Sequence, residues 1–198
     1  MGTGGAAMLL PPEETVIVRS PEEPHLFLCV AYPDIEQPAF DQIQAIRRSY
    51  DPNFALIQPH FTIVSPVSGL NELELTNHIR FQISEVSQID CELDTIETHE
   101  SGLDGRQYLF LTPTKGAKHI SALHDALYTG SLAPHLNHDE PYQPHITIGS
   151  TDKANTARKI SAAATKQISL PIAARVRSIT LSRFTDGHVT TLNEFELA

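Results

Sequence analysis

The chain has 198 residues, 40% of them hydrophobic, and a formal net charge of −10 from 24 acidic and 14 basic side chains. This composition excludes a disordered or fibrous chain, and an acidic chain without a basic stripe is not expected to bind long duplex nucleic acid through many phosphates. Its apolar runs are shorter than the roughly 18 to 20 residues that cross a bilayer, which argues against an integral membrane protein.

In chain order, hydrophobic periodicity predicts a strand, a helix, a strand, a helix and a pair of strands. These elements lie at 25–32, 38–50, 54–64, 71–86, 89–98 and 107–111. A similar plan follows at 115–128, 130–143, 144–149, 151–166, 168–184 and 188–197, with a helix, a loop, a strand, a helix and final strands. Thr151 or Asp152 is expected to cap the last helix. The repeated plan predicts two related lobes of α+β type.

The domain organisation is expected to be simple. Residues 13–198 are expected to form one bilobal domain, and the Gly- and Ala-rich stretch 1–12 a flexible tail or cloning remnant. Cys29 and Cys91 lie in apolar or alternating stretches, where buried free thiols are common. This cysteine usage indicates a reduced, cytoplasmic setting, and we expect a monomer.

The most informative feature is a tetrapeptide that occurs twice, as Pro59-His60-Phe61-Thr62 and as Pro144-His145-Ile146-Thr147. The copies occupy corresponding points of the two predicted halves. On a strand, residues i and i+2 share a face, so each histidine should project beside its threonine while the intervening apolar residue is buried. We therefore expect each half to present one imidazole and one hydroxyl.

Two imidazoles and two hydroxyls in one cleft suit displacement at phosphorus. Histidine, with a pKa near 6.5, serves both as the general base for the attacking oxygen and as the general acid for the leaving oxygen. Threonine hydroxyls can donate hydrogen bonds to the non-bridging oxygens, where charge builds in the transition state. This scheme needs neither a metal nor another cofactor, and it does not assign which histidine is acid and which is base.

At these motifs the sequence resembles the 2H phosphoesterase superfamily, and within it the LigT-like group of 2′-5′ RNA ligases and cyclic nucleotide phosphodiesterases. The resemblance implies an α+β, bilobal, pseudo-twofold fold, each lobe an antiparallel sheet flanked by helices, with a central cleft. It implies that His60, Thr62, His145 and Thr147 are catalytic, that the substrate is a 2′,3′-cyclic or related cyclic phosphate of a nucleotide or RNA end, and that reversible 2′-5′ ligation is possible in such an enzyme.

Two further residues are candidate substrate contacts, each with a structural alternative. Tyr142, three residues before His145, could stack on a base or hydrogen-bond the phosphate, or it could be a packed loop tyrosine. Arg183 could supply charge to the cleft, or it could form a surface salt bridge. A metal site is not expected, because the other histidines show no recognised zinc spacing with a third ligand. The alternative function is a nucleotide-binding module with the same cleft and little catalysis.

Overall fold

The computed structural model describes residues 25–198, in which nine strands form one antiparallel sheet. The strands are β1 (Leu26–Ala31), β2 (Asp34–Ile35), β3 (Phe61–Val67), β4 (Ile89–Glu100), β5 (Gln107–Lys115), β6 (Ile146–Thr151), β7 (Ile172–Val176), β8 (Ser178–Thr185) and β9 (His188–Glu196). The helices are α1 (Ala39–Tyr50), α2 (Glu72–Gln82), α3 (Ala117–Leu127) and α4 (Ala154–Gln167), with a short 3₁₀ helix at Gly130–His135. The α+β class is confirmed, and the predicted tail at 1–12 lies outside the described residues.

The two motif strands pair with each other at the centre of the sheet, β3 with β6, with Phe61 opposite Ile146. The strand order across the sheet is β2-β7-β4-β5-β6-β3-β1-β8-β9, so β5 and β1 flank this central pair. Strands from the two halves of the chain also pair elsewhere, β1 with β8 and β4 with β7, so one continuous sheet contains strands of both predicted lobes. Pairing β3 with β6 satisfies backbone groups that two separate sheets would leave as exposed edges.

The helices of each half cross to the other half. Helix α1 packs against β6, and α3 packs against β3, so each motif strand is covered by a helix from the opposite half. Gly149 permits the first of these contacts, because a Cβ at that position would lie 2.9 Å from the Cβ of Tyr50. Helix α4 packs against β4, β5 and β6, and α2 packs against α3. Among the described residues, no helix combines the length and apolarity needed to cross a bilayer.

Local signals fix where several elements begin and end. Asn71 caps α2, because its Oδ1 accepts hydrogen bonds from the backbone N–H groups of Leu73 and Glu74. Strands β8 and β9 are joined by a tight turn at Asp186 and Gly187, whose φ angles are 52° and 75°. Positive φ at both central positions is the conformation that tight β-hairpins favour.

Several boundaries differ from the sequence prediction, including those of β3, α4 and the pair β7 and β8. The strand predicted at 54–64 begins only at Phe61, because turns occupy most of the residues between α1 and that point. The predicted cap of the last helix is wrong: Thr151 ends β6, and α4 begins at Ala154 without a side-chain cap hydrogen bond. The strand predicted at 168–184 is two strands, separated at Arg177, whose carbonyl accepts a hydrogen bond from the backbone N–H of Leu197.

Candidate active site

The two tetrapeptides lie at the centre of the sheet and show the expected alternation. Their apolar residues Phe61 and Ile146 are fully buried at 0% exposure, and the residues after each threonine, Ile63 and Ile148, are buried as well. The histidines and threonines of both motifs are half-buried. The burial pattern therefore confirms that each strand is anchored by its apolar face while the polar pair faces outward.

The two histidines make the same hydrogen bond. His60 Nδ1 lies 2.7 Å from the carbonyl oxygen of Gln58, and His145 Nδ1 lies 2.7 Å from the carbonyl oxygen of Gln143. A carbonyl oxygen can only accept, so each Nδ1 must carry the proton and donate it. In the neutral ring this leaves Nε2 as an acceptor. Both imidazoles are thus fixed in the tautomer that a general base requires.

Two adjoining cavities contain the motif residues. A cavity of about 420 Å³ is lined by His145, and a cavity of about 180 Å³ is lined by His60. Thr62, Thr147 and Tyr108 line both. The structure therefore brings all four motif side chains together in one cleft. The two threonines lie where the cavity lined by His60 meets the cavity lined by His145. The cavity of about 420 Å³ is the large cavity of this cleft, and the cavity of about 180 Å³ is its small cavity.

The environment of both imidazoles disfavours the charged form. Burial lowers the pKa of His145 to about 4, and the nearby imidazoles of His60 and His99 contribute in the same direction. Burial also lowers the pKa of His60; the charge of Arg47 adds to this effect, while the charge of Asp51 opposes it. In the unliganded cleft both rings are therefore neutral near pH 7. A bound phosphate, being anionic, would raise both values.

A buried ion pair holds the segment that leads to His60. Arg47, 1% exposed, donates through Nε to Asp51 Oδ2 at 2.8 Å and through Nη2 to the carbonyl oxygen of Ile57 at 2.7 Å. Asp51 Oδ1 accepts in turn from the backbone N–H of Asn53. These bonds tie the last turn of α1 to the connection between α1 and β3. They also fix the chain just before Gln58, the residue that orients His60.

Aromatic packing holds the second motif. The ring of His145 stacks on Phe110, with centroids 3.6 Å apart, and Phe110 stacks in turn on His99 at 5.3 Å. Tyr142 stacks on the buried His124 at 3.9 Å, and its hydroxyl donates to the backbone carbonyl of Thr62 at 3.0 Å. The loop of the second motif is thereby bonded directly to the strand of the first.

Arg106 and Tyr108 reach the cleft from the start of β5. Arg106 lines the small cavity, and its Nη2 donates to Ser150 Oγ at 3.2 Å. Tyr108 donates to Asp104 Oδ2 at 2.8 Å. Neither residue could be identified from the sequence, because each lies in or beside a turn and no motif marks it.

A family model of the 2′-5′ RNA ligase superfamily matches residues 33–188, a segment that contains both motifs. The chain belongs to this superfamily. Among curated proteins, one from Oceanobacillus iheyensis, whose description as a phosphoesterase is provisional, is 28% identical over 110 residues, covering 54% of this chain and 61% of the relative. A similarly described protein of Bacillus licheniformis is 27% identical over 114 residues, covering 54% and 62%. The chain thus spans about three fifths of these relatives.

Solved structures of low identity share the fold. LigT of E. coli, crystallised with 3′-AMP, superposes with a TM-score of 0.56 at 17% identity, over 89% of this chain and 99% of LigT. A structure described only as a phosphoesterase has a TM-score of 0.53 at 17% identity, over 88% and 99%. These likenesses support the superfamily fold across nearly the whole described chain.

The two predicted substrate contacts differ in placement. Tyr142 lines the large cavity, but its ring and hydroxyl already have protein partners, which agrees with the packed-tyrosine alternative. Arg183 pairs with Glu72 and lies over the ring of Phe27, and it lines neither cavity. A substrate role for Arg183 stays a prediction, and the ion pair with Glu72 argues against it. Among residues 25–198, no group of three or more His, Cys, Asp or Glu side chains is placed to hold a metal ion.

Proposed function

We propose that this chain is a phosphoesterase that hydrolyses 2′,3′-cyclic or related cyclic phosphates of nucleotides or RNA ends, with His60 and His145 as general acid and base. The observation that carries the proposal is the matched pair of imidazoles, each with Nδ1 held by a carbonyl at 2.7 Å, on cavities that share both threonines. The superfamily and the nucleotides bound by LigT, 3′-AMP and NADP⁺, support a nucleotide substrate.

In the proposed reaction one neutral imidazole accepts a proton at Nε2 from a water molecule, whose oxygen attacks phosphorus. The bond between phosphorus and one ribose oxygen breaks, and the other imidazole, protonated at Nε2, gives its proton to that oxygen. Thr62 and Thr147 donate hydrogen bonds to the non-bridging oxygens, where negative charge increases. If the 5′-hydroxyl of a second strand attacks phosphorus in place of water, and the bond to the 3′ oxygen breaks, the product is a 2′-5′ linkage.

The general acid needs a proton that the unliganded rings do not hold at pH 7. Binding of the substrate phosphate favours protonation of one imidazole, because a negative charge beside an imidazole raises its pKa. The pair therefore becomes competent only with the phosphate bound. A bell-shaped dependence of kcat on pH follows, since one ring must be neutral and the other charged in the same complex.

Replacement of either histidine tests the proposal. His60→Ala and His145→Ala should each lower turnover of adenosine 2′,3′-cyclic phosphate by roughly 10²- to 10⁴-fold, the usual contribution of a general acid or base. Phosphorus NMR measures the rate and identifies the 2′- or 3′-monophosphate product. His188→Ala, at an exposed position that begins β9, is the matched control and should leave the rate unchanged. Full activity of both cleft variants would contradict the proposal.

A second candidate function has one specific observation in its favour. The low pKa of His145, about 4, leaves the unliganded cleft without a protonated imidazole, as expected for a nucleotide-binding module that does little chemistry. Calorimetric binding of 3′-AMP by the wild-type chain, combined with no product from a panel of cyclic phosphates over hours, would favour the binding module. Detectable turnover that both alanine variants lose would favour the enzyme.

A further inference from the structure

The two cavities carry opposite charge. Asp139 and Glu140 line the large cavity, and within the described part of the chain no lysine or arginine lines it. The small cavity is lined by two arginines, Arg47 and Arg106, and by one carboxylate, Asp51. An anionic group is therefore favoured on the His60 side of the cleft and disfavoured beside Asp139 and Glu140 in the large cavity.

Of the two arginines that line the small cavity, Arg47 already donates its guanidinium N–H groups to other parts of the protein. Its guanidinium donates to Asp51, to Gln44 Oε1 at 3.0 Å and to the carbonyl of Ile57, and the residue is 1% exposed. Its charge is balanced by Asp51 at 2.8 Å. Contact between Arg47 and a ligand would require breaking this buried network, which is costly.

The guanidinium of Arg106 has N–H groups that donate to no protein acceptor among the described residues. Among the described residues, the only hydrogen-bond acceptor of its guanidinium is Ser150 Oγ, to which Nη2 donates at 3.2 Å. Its Nε is buried without a hydrogen-bond partner. The carboxylate of Asp152 lies 3.3 Å from that Nε but is 81% exposed, so water screens the pair. A partly exposed guanidinium with unused N–H groups at the wall of a cavity is suited to binding an oxyanion.

The backbone of Arg106 is held firmly enough to place this charge. Its N–H donates to Asp104 Oδ1 at 3.0 Å, and its carbonyl accepts from the N–H of Ser101 at 2.9 Å. The residue immediately precedes β5, which pairs with β6 beside Thr147. The guanidinium therefore projects from a closed hairpin turn at a fixed point of the cleft wall.

We propose that Arg106, which lines the small cavity, binds the non-bridging oxygens of a substrate phosphate that lies between His60 and His145, and so orients the substrate with its uncharged nucleoside in the carboxylate-lined large cavity. This inference rests on the proposed function for the identity of the substrate. The binding step itself requires only an anion. It can therefore be tested without turnover, and its failure is distinguishable from failure of the proposed chemistry.

The test is calorimetric titration of the full chain with inorganic phosphate at pH 7 and low salt. Arg106→Met should weaken phosphate binding roughly 10- to 100-fold, because hydrogen bonds to charged groups contribute about 1.5 to 3 kcal/mol and each 1.4 kcal/mol is tenfold. Arg106→Lys should retain part of the affinity, since it keeps the charge but not the fork of donors. Arg175→Met, which removes a surface arginine paired with Asp90, is the control and should change nothing.

Asp152→Asn separates ligand binding from a structural role. If Arg106 only forms an ion pair with Asp152, the two variants remove the same interaction and should weaken phosphate binding alike. If Arg106 binds the phosphate, Asp152→Asn removes a competing carboxylate, and affinity should stay the same or rise. The proposal is overturned if Arg106→Met binds phosphate as wild type does, if Asp152→Asn matches its loss, or if wild type binds no phosphate. Thermal melting of each variant checks that the fold persists.

Discussion

The buried Arg47–Asp51 pair gives the sharpest stability prediction. Their side chains are 1% and 3% exposed and the Nε to Oδ2 distance is 2.8 Å, so Arg47→Met leaves a carboxylate buried without its counterion. Breaking such a pair costs about 3–5 kcal/mol, against a total stability of about 5–15 kcal/mol for an ordinary domain. We expect Arg47→Met to lower the free energy of unfolding by that amount, measured by urea denaturation followed by circular dichroism.

A double-mutant cycle isolates the pair. Asp51→Asn alone should also destabilise strongly, because it leaves a buried guanidinium without its charge partner. The double variant Arg47→Met/Asp51→Asn should lose less than the sum of the two single losses, since neither charge is then buried alone. Arg175→Met is the exposed control, with side chains 46% and 57% exposed in its pair with Asp90, and should leave the free energy of unfolding nearly unchanged, because water screens the pair. A loss below about 1 kcal/mol for Arg47→Met would refute the reasoning.

Two further predictions concern the second motif. In the unliganded chain the imidazole of His145 should have a pKa near 4, with Nδ1 protonated and Nε2 unprotonated at pH 7, and nitrogen NMR shifts measure both properties. Because this pKa lies below the ordinary value, the contribution of His145 to the free energy of unfolding is present above about pH 6.5 and is lost as the pH falls through 4. A normal His145 pKa would contradict the burial argument. Tyr142→Phe should lower stability by about 1 kcal/mol through loss of its bond to the Thr62 carbonyl, and an unchanged urea midpoint would show that this bond contributes nothing.

Much of the fold follows from periodicity in the sequence. The apolar run in β1, the stripe of α2 and the alternation in β4 each predict an element that the structure confirms within a few residues. The repeated motif predicts the alternation of buried and half-buried residues at the centre of the sheet, because strand geometry imposes it. The join of β3 with β6 could not be predicted, since long-range strand pairing leaves no local pattern.

The supporting residues of the site were missed for different reasons. Arg47 and Asp51 have helical i, i+4 spacing, which suggests a pair, but spacing does not reveal burial. Arg106 sits in a turn, and only the fold shows which cavity it lines. The expected monomeric state and cytoplasmic setting stay predictions.

The central claim is that two imidazoles act on one phosphorus, and the rates of the single and double histidine variants measure this directly. Adenosine 2′,3′-cyclic phosphate turnover should fall in His60→Ala and in His145→Ala, and His60→Ala/His145→Ala should be little slower than either, because acid and base act as a unit. If the double variant instead lost the product of the two single factors, or if either single variant turned over substrate at the wild-type rate, the account would be contradicted.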